Sequence, residues 1–321
     1  MNLNDINHTE TLDVLKRLRL LDLEKVSNNE IFDLLTKLYK HIGVKHKLLK
    51  NRFVQRAVLL DGEPSDYFPM DVQRISYNPK GSSAGRANFE GESVFYASIA
   101  TEIIEGYNCS ALELIPRMDT GIRQYRIVIG NWLLQEDTEF VFIGGDSNLT
   151  YLSMEAKNRH NQLKDFVTSF KESALSLYAI DKFLCEEFSK EVPKEKPWLY
   201  KISAAYTSLL RQNGEKGLIY PSVKAAGAGL NLILFPDIVD EGLIKFERAV
   251  YGMYYVRDKE IINEYTMGAS ENCGKLIWHE VYHRLPGAIK DYYVGRSDYN
   301  RIANIPILNL DTEGKQAKIM K

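Results

Sequence analysis

The sequence predicts an α+β protein. Helical leucine periodicity is concentrated in the first fifty residues and in residues 151–212, while short β-forming runs fall between residues 93 and 143 and again after residue 214. Strand and long helix do not alternate regularly, which argues against a doubly wound parallel sheet. With 45% hydrophobic and 26% charged residues in 321, the chain can bury a core without disulfide or metal staples.

The elements follow in order. Thr11 to Val26 places Leu12, Leu15, Leu18 and Leu20 among charged residues near helical spacing. Ser27, Asn28 or Asn29 can cap a second helix through Tyr39, with Ile31, Leu34, Leu35 and Leu38 on one face and Gly43 ending it. Asp61 to Ser65 reads as a loop, and Tyr77 to Glu92 as a longer polar one punctuated by glycine and proline. Ser93–Ser98, Tyr125–Trp132 and Phe140–Ile143 read as strands, with Gly144-Gly145 as a turn. Helices are expected near Ala179–Glu191 and Leu199–Gln212, on either side of Pro193 and Pro197. Leu218–Tyr220 and Leu230–Phe235 are apolar β runs. The tail mixes tyrosine-rich strand-like segments with an expected helix near Lys275–Arg284.

Charge and cysteine content narrow the function classes. Forty-one basic against 43 acidic residues give a net charge of −2, so no chain-wide electrostatic footprint for nucleic acid exists. Cys109, Cys185 and Cys273 are odd in number and far apart, which argues against a disulfide framework or a cysteine zinc site and fits a reducing cytoplasm. Neither a signal-peptide pattern nor an apolar run of membrane-spanning length is seen, so a soluble cytoplasmic protein is expected. Homo-oligomerisation is compatible with the sequence.

Two constellations bear on chemistry. The first is dispersed: Arg74, Arg86 within Gly85-Arg86-Ala87-Asn88, Tyr96 within Val94-Phe95-Tyr96-Ala97-Ser98, Glu113 within Ala111-Leu112-Glu113-Leu114, and Ser222 after Gly217-Leu218-Ile219-Tyr220-Pro221, followed by Asn231. Singly, each has an ordinary structural explanation: a solvated arginine, a core tyrosine, a turn serine. Together, in this order and local context, they resemble the RES domain family, over roughly residues 70 to 240. The resemblance implies an ADP-ribosyltransferase-like mixed-sheet core carrying an N-terminal helical segment and flanking helices. It also implies that NAD is bound and consumed as a substrate, with water, phosphate or a protein as acceptor. Many members are toxins of toxin–antitoxin pairs, held inactive by a partner protein with a DNA-binding domain.

The residue types suit that chemistry. Arginine forks match pyrophosphate oxygens, a role open to Arg74 and Arg86. A tyrosine face such as Tyr96 can stack on the flat nicotinamide cation. Cleavage of the nicotinamide–ribose bond builds oxocarbenium character, which a carboxylate stabilises, and Glu113 is the candidate. Ser222 and Asn231 are expected to hydrogen-bond the ligand. Glu102 and Glu105 also follow Tyr96, and Glu102 is the competing choice. Glu113 is preferred because it is a lone charge in an apolar segment.

The second constellation is His279-Glu280-Val281-Tyr282-His283, which on a helix would place two histidines on one face as zinc ligands with the glutamate as base. Arg284, the helix-breaking Pro286 and the lack of an evident third ligand beyond Glu313 weigh against it, and no metal is expected. A non-catalytic NAD-binding module is a further alternative. The expected organisation is a helical segment over 1–60, a core over 61–250 and a C-terminal extension over 251–321.

Overall fold

The computed structural model describes residues 7–39, 45–60, 69, 71–104, 106–114, 123–144, 153–169, 171–257, 260–283, 307–310 and 316–320. Gly43, the loop Asp61–Ser65, Glu105, Gly145, Arg284, Pro286 and Glu313 lie outside the described residues. The α+β class holds.

The leucine-patterned start forms α1 (His8–Leu20) and α2 (Asn28–Tyr39). Helix α1 begins three residues earlier than the periodicity suggests, because the Asn7 side chain accepts from the Glu10 N–H at 3.1 Å. It also ends at Leu20 rather than Val26. Its buried stripe is Thr11, Val14, Leu15 and Leu18, at the i, i+3, i+4, i+7 spacing of one helical face. Leu12 and Leu20 fall off that stripe and are 46% and 74% exposed. In α2 the Ser27 hydroxyl accepts from the Glu30 N–H at 3.2 Å, and Ile31, Leu34, Leu35 and Leu38 are all buried as expected.

The expected boundary at residue 60 is corrected. Residues after the helix pair form β1 (Lys45–Leu48) and β2 (Phe53–Leu59), and both belong to the main sheet. The remaining strands of that sheet are β3 (Phe95–Ile99), β4 (Arg123–Leu134), β5 (Thr138–Phe142), β6 (Gly217–Pro221), β7 (Leu230–Leu234), β8 (Ile244–Arg257), β9 (Glu260–Asn272) and β10 (Lys275–His283). Their order is β1-β5-β6-β7-β3-β2-β4-β8-β9-β10, with β5 and β6 parallel and the other pairs antiparallel. Strands β6 and β7 are buried at every position, which explains their unbroken apolar reading: both faces are covered.

The helices are α3 (Val72–Ile75), α4 (Gly106–Leu114), α5 (Met154–Ser169), α6 (Lys171–Ser189), α7 (Lys201–Gln212) and α8 (Pro236–Asp240). Helix α1 packs on α6, and α2 on α7. This layer covers the sheet face that carries Val141, Leu218, Tyr220 and Ile233. Alternate residues Phe140, Phe142, Ile219 and Leu232 enter a second core on the opposite face, with Ala156 of α5. A buried ion pair ties the layers: Arg159 of α5 donates to Asp181 of α6 at 3.1 Å and to the Phe142 carbonyl at 3.3 Å.

The C-terminal reading is also corrected. Lys275–His283 is strand β10, not a helix, and the expected boundary at 251 cuts through β8. The β9–β10 hairpin turns on Cys273-Gly274 between paired Asn272 and Lys275, with φ values of 51° and 80°. Two successive positive φ angles are the geometry that matches strand twist in a two-residue hairpin, and glycine adopts it without strain. On a strand, four residues advance about 13 Å, against about 6 Å along a helix. The spacing that makes His279 and His283 a zinc-binding pair on one helical face is therefore lost. A separate two-stranded sheet pairs β11 (Ile307–Leu310) with β12 (Gln316–Met320).

Candidate functional site

Strand β2 meets β3 at Gln55↔Ser98, and a cavity of about 340 Å³ opens beside this junction. The volume is in the usual range for small-molecule pockets. Its walls come from β2 and β3, the last turn of α4, the polar loop of residues 78–93, and Tyr200 in the turn preceding α7.

Glu113 enters the cavity from the last turn of α4. The helix packs through Cys109, Ala111 and Leu112, all completely buried, which leaves Glu113 as its charged residue at the cavity. Two donors fix the carboxyl group on one oxygen: Ser222 Oγ at 2.5 Å and Asn231 Nδ2 at 2.8 Å, both to Oε1. Neither of these bonds uses Oε2. Ser222 ends the β6 segment in a tight turn, where its hydroxyl also accepts from the Ala225 N–H at 3.1 Å. It is 0% exposed. Its proton goes to Glu113, so in this arrangement it meets the site through that residue. Asn231 lines the cavity, and the hydrogen bond that ties it to the site goes to Glu113.

Helix α4 comes so close to this turn because residue 229 has no side chain. A Cβ at Gly229 would lie 2.3 Å from Cys109 Sγ and 3.1 Å from Cys109 Cβ. Gly229→Ala is expected to destabilise the fold by about 1–3 kcal/mol through overpacking, measured by urea denaturation, and to displace Glu113 with the helix.

The competing glutamate has a different task. Glu102 Oε1 accepts from the Met154 N–H at 2.5 Å, at the start of α5, and does not line the cavity. A carboxyl group there satisfies an orphan helix donor.

The arginines separate in the same way. Arg86 lines the cavity and is anchored from behind. Its Nε donates to the Phe188 carbonyl at 3.0 Å and its Nη2 to the Lys190 carbonyl at 2.7 Å, at the C-terminus of α6. Its guanidinium also stacks over the Tyr200 ring at 5.5 Å. Burial opposes its charge, but the surrounding groups, the Glu113 carboxyl group among them, outweigh this and leave its pKa above the ordinary guanidinium value.

Arg74 is on α3, exposed and not among the residues that line the cavity, although its charge is close enough to Arg56 to help lower that guanidinium's pKa. Arg56, which the sequence reading missed, occupies the second cationic position. It lies beside the β2–β3 junction, donating through Nε to the Ser76 carbonyl and through Nη1 to the Tyr96 carbonyl, each at 2.9 Å. Burial pushes its pKa down to about 10, so it stays charged at neutral pH. A signal was present: Arg56 interrupts the apolar strand Phe53–Leu59 as Glu113 interrupts its own apolar segment.

Tyr96 lines the cavity, with its ring held through the hydroxyl. The hydroxyl donates to Asn88 Oδ1 at 3.0 Å and accepts from the Ala87 N–H at 2.8 Å. Asn88, 1% exposed, in turn donates to the Ser83 and Phe89 carbonyls at 2.9 Å each and ties the loop into a fixed wall. Tyr200 and Tyr220 complete the aromatic lining. Burial raises the pKa of Tyr96, and burial with the nearby Glu113 raises that of Tyr220, so both remain neutral rings near neutral pH. Among the described residues, no group of three or more His, Cys, Asp or Glu side chains is placed to hold a metal ion. No helix of the described residues is long and apolar enough to cross a membrane. Compared with known proteins, the chain matches no protein-family model and no curated protein.

Proposed function

We propose that this chain is an NAD-consuming enzyme of the RES type with an ADP-ribosyltransferase-like core, which cleaves the nicotinamide–ribose bond. The observation that carries the reading is Glu113, held on one oxygen by Ser222 and Asn231 in a cavity that also presents the Arg56 and Arg86 guanidiniums and neutral tyrosine rings. Two cations and an aromatic wall suit a pyrophosphate linked to a flat, positively charged base. As the C–N bond breaks, its electron pair neutralises the nicotinamide nitrogen and positive charge moves to the ribose. An ionised Glu113 stabilises that charge or grips a ribose hydroxyl. Water, phosphate or a protein side chain then supplies the electron pair that closes the new bond at the ribose carbon. A toxin role, restrained by an antitoxin partner with a DNA-binding domain, belongs to the same proposal.

The test is incubation with NAD, following free nicotinamide with and without phosphate and following transfer of labelled ADP-ribose to protein. Release of nicotinamide supports the reading, and the phosphate dependence or protein label identifies the acceptor. Tight NAD binding without release would make the chain a binding module, and absence of both would overturn the proposal. The arginines offer an internal check by calorimetry. Arg86→Ala is expected to weaken NAD binding by about 1.5–3 kcal/mol, the scale of a charged hydrogen bond. Arg74→Ala is expected to leave it within about twofold, as for an exposed residue that does not line the cavity and acts on it only through space, by way of Arg56.

A further inference from the structure

The sheet face beneath α4 carries a transverse row of polar side chains where apolar packing is the rule. Register sets Asn131 of β4 opposite Gln55 of β2, Gln55 opposite Ser98 of β3, Ser98 opposite Asn231 of β7, and Asn231 opposite Tyr220 of β6. Paired residues on neighbouring strands point to the same face, so these side chains form one line across the sheet. They are 1%, 5%, 1%, 3% and 2% exposed in that order. Burying such groups is costly unless they are hydrogen-bonded, so the bonds they make matter.

At one end of the row Gln55 Nε2 donates to Asn131 Oδ1 at 3.2 Å, and at the other the bonds run toward Glu113. Ser98 Oγ donates to Asn231 Oδ1 at 3.1 Å, and Asn231 Nδ2 donates to Glu113 Oε1 at 2.8 Å. A second donor near Asn231 Oδ1 is the Cys109 thiol at 4.0 Å, a weak partner, and the Tyr220 hydroxyl also bonds the Asn231 side chain. The Asn231 carboxamide is thus gripped at both ends, the carbonyl by Ser98 and the amino group by Glu113.

We infer that Ser98, which itself lines the cavity, is a positioning residue that holds the carbonyl end of the Asn231 carboxamide so that its Nδ2 is presented to Glu113. This rests on the reading that Glu113 acts on the nicotinamide–ribose bond. The terminal torsion of asparagine is soft. Without the Ser98 hydroxyl, Oδ1 loses its strong donor and keeps the weak thiol, so the native amide orientation is less favoured over the turned one, in which Oδ1 would face Glu113 Oε1, acceptor against acceptor. The fraction of molecules with Glu113 correctly held then falls. Ser98 itself needs no contact with the reacting atoms for this effect.

Two measurements on the full chain test the inference. The first follows the side-chain amide resonance of Asn231 in ¹⁵N-labelled protein, identified by its disappearance in Asn231→Asp. Ser98→Ala is expected to shift or broaden this resonance while the backbone amide pattern away from residue 98 is retained. The second is steady-state NAD cleavage. Ser98→Ala is expected to lower kcat about five- to tenfold with KM within about twofold, the scale of one hydrogen bond realised in the transition state. If Ser98→Ala does not fold, Ser98→Cys, which nearly keeps the volume but weakens the donor, is read in the same two ways. An Asn231 resonance unmoved by the substitution would overturn the inference, as would unchanged kcat in an enzyme that turns NAD over. If the wild-type chain does not consume NAD, the functional reading fails while the amide resonance still decides the role of Ser98.

Discussion

Glu113→Gln is expected to bind NAD with near wild-type affinity and to lose about 10²-fold or more in turnover, the scale seen when one electrostatic stabiliser of a transition state is removed. The amide keeps the shape of the side chain, and its oxygen can still accept from Ser222 and Asn231, which donate to Glu113 Oε1 in the native site. What is lost is the negative charge that opposes the developing positive charge on the ribose. An interaction realised only in the transition state changes kcat, while one present equally in the ground state changes KM. Stopped reactions assayed for nicotinamide, with NAD affinity from calorimetry, separate the two. Glu102→Gln is the control. Its carboxyl group accepts from the Met154 N–H, outside the cavity, so turnover should stay within a small factor of wild type. Loss of turnover in Glu102→Gln but not in Glu113→Gln would move the active carboxyl group. Loss in neither would sink the mechanism.

The largest expected stability effect lies away from the cavity. Asp181→Ala is expected to destabilise the fold by about 3–5 kcal/mol, because it leaves a buried guanidinium without its carboxylate. The Arg159 and Asp181 side chains are 2% and 8% exposed. Burial, the largest influence, lowers the Arg159 pKa, and the pull of Asp181 opposes it. Replacing both partners by apolar residues, Arg159→Met with Asp181→Leu, is expected to recover most of the loss, since neither charge then needs solvation. Urea denaturation of the two variants measures the contrast. A single variant within about 1 kcal/mol of wild type would show that the pair contributes little to holding α5 and α6 on the sheet.

Much of the fold was legible because its signals are local. The stripe Ile31, Leu34, Leu35 and Leu38 and the Ser27 cap are properties of neighbouring residues, and the helix they predict is the one found. The apolar runs around Ile219 and Leu232 read correctly as strands because strands covered on both faces need no alternation. The tail misled because the His279–His283 spacing matches a helical motif. Its β-branched and aromatic content, Ile277, Trp278, Val281 and Tyr282, and the Cys273-Gly274 turn before it favour the strand that forms.

By itself the sequence determined the α+β class, the leading helix pair and the central strands. It also singled out Glu113, because a lone charge in an apolar segment is a visible local anomaly. It did not determine which arginine reaches the cavity. The chain neighbours of Arg74 suggest it, yet α3 leaves it exposed, while Arg56 lines the cavity beside the β2–β3 junction. Nor did it separate the roles of Ser222 and Asn231 from that of Glu113, which lies more than a hundred positions before either of them. Periodicity, caps and turns depend on bonds within a few residues of each other. Strand order, register and the close approach of α4 to Gly229 are set by pairing between distant segments, so the tertiary structure alone decided which side chains meet.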